Sequence, residues 1–210
     1  MAVFSNGFEE GDFSAWTGTG NTPTIIESPT HHGMYAMEVN ANNEYARIAI
    51  ADLDTLYFNC YFRLNTVPAG GEFINLIDIT SVGWQPVSYV QIISNAIGYG
   101  YQNPGGGGWH SVSWNTGQWY NVEMKQHRDD AEGEYRLYFE GAEVKTATEL
   151  DTSGIPVGFF CLFGDYSLGG IAYTLQLDCI NIDTSYIGLE TNLMPRMMNH
   201  YRRINKIIRG

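Results

Sequence analysis

Residues 55–64, TLYFNCYFRL, alternate without a break. Leu56, Phe58, Cys60, Phe62 and Leu64 fall on one side of an extended chain, and Tyr57, Asn59, Tyr61 and Arg63 on the other. Successive side chains of a strand point to opposite faces, so this run has one apolar face to bury and one mixed face to show. A helix would scatter the same residues around its circumference. Period-two runs recur along the chain. YARIAIA (45–51), EFINLIDIT (72–80), VSYVQIIS (87–94), AIGYGYQN (96–103), WHSVSW (109–114) and WYNVEMKQH (119–127) read as strands. So do PVGFFCLFGD (156–165) and AYTLQLDCINID (172–183), while MYAMEVN (34–40) follows the pattern with an imperfect phase. YRLYFEGAEVK (135–145) reads as a hairpin with its corner at Glu140-Gly141. The PGGGG run (104–108) predicts a flexible loop.

Helical spacing is weak everywhere before residue 189. Many short strands with glycine-bearing turns predict an all-β sandwich or barrel, and 210 residues suit a single such domain. The three cysteines, Cys60, Cys161 and Cys179, are odd in number and lack metal-site spacing, so they are expected as buried thiols. No run of about 18 apolar residues is present to form a membrane-spanning helix.

Charge divides the chain in two. The formal net charge is -12, yet residues 189–210 hold five of the 11 Lys and Arg and only one of the 23 Asp and Glu. An acidic body argues against nucleic acid as a partner, because phosphate affinity needs clustered Lys and Arg.

Several stretches carry a resemblance. TGQWYNV, with Gly117, Gln118, Trp119, Tyr120 and Val122, precedes LYFEG at Leu137–Gly141. GFEEGDFSAW (7–16) opens the chain, HHGMYAMEV (31–39) follows, and LQLDCINID (175–183) closes the strand region. In order and spacing these resemble the laminin-G-like and concanavalin A-like lectin and glucanase jelly rolls. Glu140 replaces the usual Asp and Cys179 replaces a common second Asp. The resemblance spans about residues 4–188 and implies two antiparallel sheets packed face to face; a jelly-roll domain is expected over 1–188, and the pattern of residues 189–210 predicts a short C-terminal α-helical tail after it. The resemblance also implies that Trp16 and Trp119 are core residues.

The resemblance raises three kinds of site. For catalysis, the hydrolase signature E-x-D-x-x-E is missing. Glu72 and Asp78 share a strand face by spacing, with Asn75 out of phase; Glu132 and Glu134 fall in a hairpin loop. A lyase-like set drawn from Arg63, Tyr101 and His110 is not forced together by any spacing. The expectation is therefore a non-catalytic domain. For metal, the resemblance implies one structural Ca²⁺ shared by Glu9 and Asp178; a turn cap at Glu9 and a solvated Asp178 explain the same residues. His31-His32 is expected as a surface turn. For glycans, Trp84, Tyr99, Tyr101, Trp109 and Trp114 gather around glycine-rich loops, where exposed rings would stack on sugars; packing in the core is the other role open to them.

The tail has its own pattern. Pro195 suits the first turn of a helix, and Met197, Tyr201, Ile204 and Ile208 then form one stripe. Arg196, Arg202, Arg203, Lys206 and Arg209 cover much of the remainder. A helix this short is marginal alone, so it is expected to dock on protein, its own body or further copies, rather than on a membrane. Residues Met197, Tyr201, Arg202, Arg203, Ile204, Lys206 and Ile208 are the expected assembly surface.

The opening MAVFSNGFEEGDF lacks the basic start and apolar run of a secretory signal. A glycan-facing fold made without one is expected on a particle released by lysis. The reading is a lectin-like surface, decoration or fibre protein of a virion, with or without bound glycan. A secreted carbohydrate-binding module, polysaccharide lyase or glycoside hydrolase of the same fold is the alternative.

Overall fold

A computed structural model describes residues 2–50, 53–81, 83–102, 104–154, 159–168 and 173–189. Of the tail expected over 189–210, all but Leu189 lies outside the described residues. Fifteen strands and no helix occur among the described residues. They are β1 (Ala2–Asn6), β2 (Gly18–Gly20), β3 (Thr24–Ile26), β4 (Ala36–Val39), β5 (Tyr45–Ile50), β6 (Thr55–Leu64), β7 (Phe73–Ser81) and β8 (Pro86–Ile93). Then come β9 (Ala96–Tyr101), β10 (Gly106–Ser111), β11 (Trp119–His127), β12 (Gly133–Phe139), β13 (Ala142–Leu150), β14 (Phe159–Leu168) and β15 (Leu175–Asp183).

Two antiparallel sheets result. The first runs β13-β12-β11-β6-β15-β4-β3, with β1 also paired to β15; the second runs β10-β9-β8-β7-β14-β5-β2. Their inner faces make one core. Leu56, Phe58, Cys60, Phe62 and Leu64 are at most 1% exposed, as the alternation of β6 predicts. From the second sheet come Ile74, Ile77, Ile79, Val90, Ile92 and Ile97, all fully buried. At one end of this core Ser88 donates to Gln126 across the two sheets at 2.7 Å, which satisfies a buried polar pair inside the apolar layer. Phe8 stacks on Trp16 at 5.6 Å, and Trp16 meets Phe163 edge-on, so the N-terminal segment is fastened to the core by aromatic packing.

The hairpin corner falls at Glu140-Gly141, where φ is positive at both residues (51° and 77°), as a two-residue turn between right-twisted strands requires. Cys60, Cys161 and Cys179 are buried free thiols.

Two expectations change, and three short strands are added. The glycine run is not wholly loop: Gly106, Gly107 and Gly108 pair with Tyr101, Gly100 and Tyr99 as the start of β10. Ladder hydrogen bonds to β9 outweigh the low strand propensity of glycine. Trp119 is not between the sheets. It lies opposite Arg63 on the outer face of the first sheet, half-buried, with His31 edge-on to its ring at 5.6 Å. Strands β1, β2 and β3 were not visible as periodic runs, being at most five residues long.

Two irregularities decide which polar groups meet. In β7 the register shifts between Asn75 and Ile77, leaving Leu76 as an extra residue. In β15 it shifts between Asp178 and Asn181, and Cys179 there has φ 50°. A bulge inserts one residue into a strand and resets the in-out alternation. Residues three apart, Asn75 with Asp78 and Asp178 with Asn181, are thereby brought to the outer face of their sheet.

Candidate functional site

The outer face of the second sheet carries a cleft. Its cavity of about 460 Å³ is lined by Asn43, Tyr45, Asn75, Asp78, Thr80, Trp84, Pro86 and Leu162. The ladder shows how it is built. Asp78 of β7 faces Tyr89 of β8 and Leu162 of β14, and Leu162 faces Arg47 of β5. The neighbouring row runs from Asn75 through Gln91 and Gly98 to Trp109 of β10.

At the centre is a hydrogen-bond chain. Gln91 donates to Asn75 Oδ1 at 2.8 Å, and Asn75 donates to Asp78 Oδ2 at 3.2 Å. The three side chains hold one another in fixed orientation on a rigid sheet, which suits recognition of hydroxyl groups.

Trp84 is the large aromatic side of the lining beside Tyr45, and Phe160 and Arg47 pack against it without lining the cavity themselves. Trp84 sits in the β7–β8 turn at φ 62°, closed by its own N–H donating to Ser81 O. It is 46% exposed and stacks on Phe160 with centroids 5.5 Å apart. The Arg47 guanidinium lies 5.1 Å from the Trp84 ring and 4.9 Å from the Phe160 ring. Such contacts hold a cation without neutralising it. Among the described residues no carboxylate pairs with Arg47, although the chain is strongly acidic.

The expected site residues divide between this face and the core. Trp84 and Trp109 lie on the cleft side and are 46% and 45% exposed. Tyr99 and Tyr101 face inward instead, stacked with the fully buried Tyr135. Burial pushes the Tyr99 hydroxyl up to about 12, as for a phenol held away from water. Trp114 also packs inward, against Phe62 and Tyr120, with its indole N–H donated to Ile93 O. These three rings are out of reach of a ligand on the cleft.

The candidate catalytic sets do not assemble. Glu72 closes the turn before β7 by accepting from Ala69 N, and so does not join Asp78. Glu134 pairs with Lys125 and Arg136 on the first sheet. Arg63 lies on the outer face of the first sheet, bonded to Gly117, Asn65 and Gln176. Tyr101 is in the core, and His110 packs near Phe139. The polar trio of the cleft was missed because strict alternation puts Asn75 on the wrong face; only the bulge at Leu76 returns it.

Glu9 and Asp178 both serve one loop. Asp178 Oδ2 accepts from His31 N and His32 N at 2.9 Å, and its Oδ1 from Cys179 N. Glu9 accepts from Met34 N. Burial pushes the Asp178 carboxyl up to about 6 against the pull of those N–H donors. Both carboxylates are hard oxygen donors of the kind Ca²⁺ takes. An ion there would compete with backbone amides for the same oxygens, and no cluster of three or more candidate ligands occurs among the described residues. His31 is more than a surface turn, since it stacks on Tyr61 at 3.8 Å.

Comparison with solved structures places this architecture. The endo-β-1,4-glucuronan lyase of the fungus Trichoderma reesei superimposes with a TM-score of 0.71 at 15% identity, over 88% of this chain and 96% of that one. The cellulose-induced protein Cip1 gives 0.71 at 17% identity, over 89% and 99%. The fold is a concanavalin A-like jelly roll. A further jelly-roll relative in shape is the binding domain of botulinum neurotoxin serotype D, with a TM-score of 0.63 at 12% identity over 86% of this chain and 45% of that one. No family model matches the sequence. No curated protein matches it either. At these identities the likeness establishes the jelly roll and leaves the activity to the site itself.

Proposed function

We propose that the outer face of the second sheet is a glycan-binding cleft and that the domain recognises acidic polysaccharide without cleaving it. The observation that carries this reading is Arg47, a cation seated on Trp84 and Phe160 on the same outer face as the Gln91–Asn75–Asp78 chain, two strands away. A sugar offers an apolar C–H face, hydroxyls and, in a uronate, a carboxylate. The aromatic wall, the amide and carboxylate groups and the guanidinium match these in turn. The structural likeness to a glucuronan lyase and to a cellulose-induced protein supports a β-linked polysaccharide as the class to try first. Two-carboxylate hydrolysis needs a second acid across the bond, and Asp78 is the one carboxylate lining the cavity among the described residues.

Calorimetric titration with soluble β-1,4-glucuronan and with a neutral β-1,4-glucan tests the reading. Glucuronan is expected to bind more tightly, with the preference lost in Arg47→Gln and binding weakened at least tenfold in Trp84→Ala. Absence of binding to either polymer sinks the proposal. Release of unsaturated sugar ends from glucuronan would replace recognition with lyase chemistry, the reading that the likeness to the glucuronan lyase favours.

The expected display on a larger particle, and the Ca²⁺, remain proposals. The first depends on residues 189–210, and comparing the native mass of the full chain with that of a chain ending at Gly188 tests it.

A further inference from the structure

Past the cavity the same outer face runs on over β9 and β10. Gly98 and Gly100 of β9 and Gly107 of β10 put no side chain on that part of the face. Two rings from neighbouring strands lie flat across the space. A Cβ placed on Gly98 would come within 2.6 Å of Trp109 Cε3 and 2.8 Å of its Cδ2. One placed on Gly100 would meet the Tyr89 ring. A ring standing upright on a strand shows its edge; a ring lying over glycine shows its face. Trp109 is 45% exposed in this position.

From this geometry we propose that Trp109 and Tyr89 form a distal sugar-stacking subsite, so that the cleft takes an internal stretch of polysaccharide and not a chain end. This rests on the glycan-binding reading given above. The sheet order sets the distances. Trp109 on β10 is three strands from Asn75 on β7, and Arg47 on β5 lies two strands beyond. At about 4.8 Å per strand the whole row spans ~24 Å. An extended β-1,4-linked chain laid across the strands advances by about one strand spacing per sugar, which gives about five sugars between the two aromatic ends. The row carries Asn75 and Gln91 between them, so hydroxyl contacts continue along the path. Glycine at 107 keeps the rim beside Trp109 free of side chains.

Oligomers of β-1,4-linked glucuronate with two to six sugars, titrated against the full chain, test the subsite. Affinity is expected to rise with length up to about five sugars. Trp109→Ala is expected to weaken the hexamer at least tenfold and leave the trimer within twofold, while Trp109→Phe keeps most of the length dependence. Equal thermal midpoints for the variants and the parent show that the fold is kept. A parent that binds trimer and hexamer equally, or a Trp109→Ala chain that keeps full hexamer affinity, overturns the distal subsite alone. A parent that binds none of the oligomers overturns the cleft reading with it.

Discussion

Asn75 and Asp78 are three residues apart on one strand, yet the amide of the first donates to the carboxylate of the second at 3.2 Å. In a regular strand they would face opposite sides of the sheet. Leu76, fully buried as the extra residue of the bulge, turns them to the same side. The polar centre of the cleft is thus a product of one inserted residue.

Replacing Asn75 with Ala removes the acceptor of Gln91 and a donor to Asp78 in a nearly buried place. The expected loss of stability is ~1–3 kcal/mol, read as a lower urea midpoint with an unchanged slope. A midpoint equal to that of the parent shows that the chain of hydrogen bonds holds nothing in place.

Two glycines on neighbouring strands are expected to behave differently. Alanine at Gly100 meets only the far end of the Tyr89 ring, which can swing outward, so stability falls by less than ~1 kcal/mol. Alanine at Gly107 meets the backbone oxygen of Tyr99 and must push β10 away from β9, at ~1–3 kcal/mol. Thermal melting ranks the two; the reverse order contradicts the close approach.

Asp178 makes stability depend on pH. Its carboxyl is raised to about 6 from 3.8, so between those values the folded chain holds a proton that the unfolded chain has released. This contribution is complete below about pH 4 and is lost as pH rises through about 6, by at most ~3 kcal/mol. Asp178→Asn, which cannot titrate, is expected to lack this slope in denaturant titrations at pH 4, 5, 6 and 7. Parallel slopes for parent and variant rule the assignment out.

Glu123 is fully buried on the outer side of the first sheet and accepts from Ile187 N at 2.9 Å and Gly188 N at 2.8 Å. Burial raises its carboxyl above the ordinary range despite these donors. Glu123→Ala is expected to free residues 186–189 at ~1.5–3 kcal/mol for each lost bond to the charged group. Hydrogen exchange at Ile187 and Gly188 reports it: both amides should lose protection while Val122 and Leu137 keep theirs.

The jelly roll was legible because β6 and β11 alternate cleanly and the Glu140-Gly141 corner has the chemistry of its turn. The site was less so. Trp84 and Trp109 stand out as loop and rim tryptophans, but the sequence does not separate them from Trp114, whose ring folds inward. Arg47 reads as an ordinary polar position of an alternating strand. Its meaning comes from Trp84 and Phe160, which lie 37 and 113 residues further along the chain. Bulges are equally silent, since Leu76 and Cys179 look like regular members of their strands.

The clasp on residues 186–189 has a mechanical consequence. Gly188 O reaches Asn59, the Tyr186 hydroxyl reaches Gly141 O, and a side chain placed on Gly141 would strike Leu189. All of this is on the first sheet, and Arg47, Trp84 and Trp109 are on the far side of the second. A pull applied at Leu189 is borne by β6, β11 and the β12–β13 corner before it reaches any strand of the cleft. A tether attached there is on the side opposite the cleft, with both layers of the sandwich between the load and the cleft face.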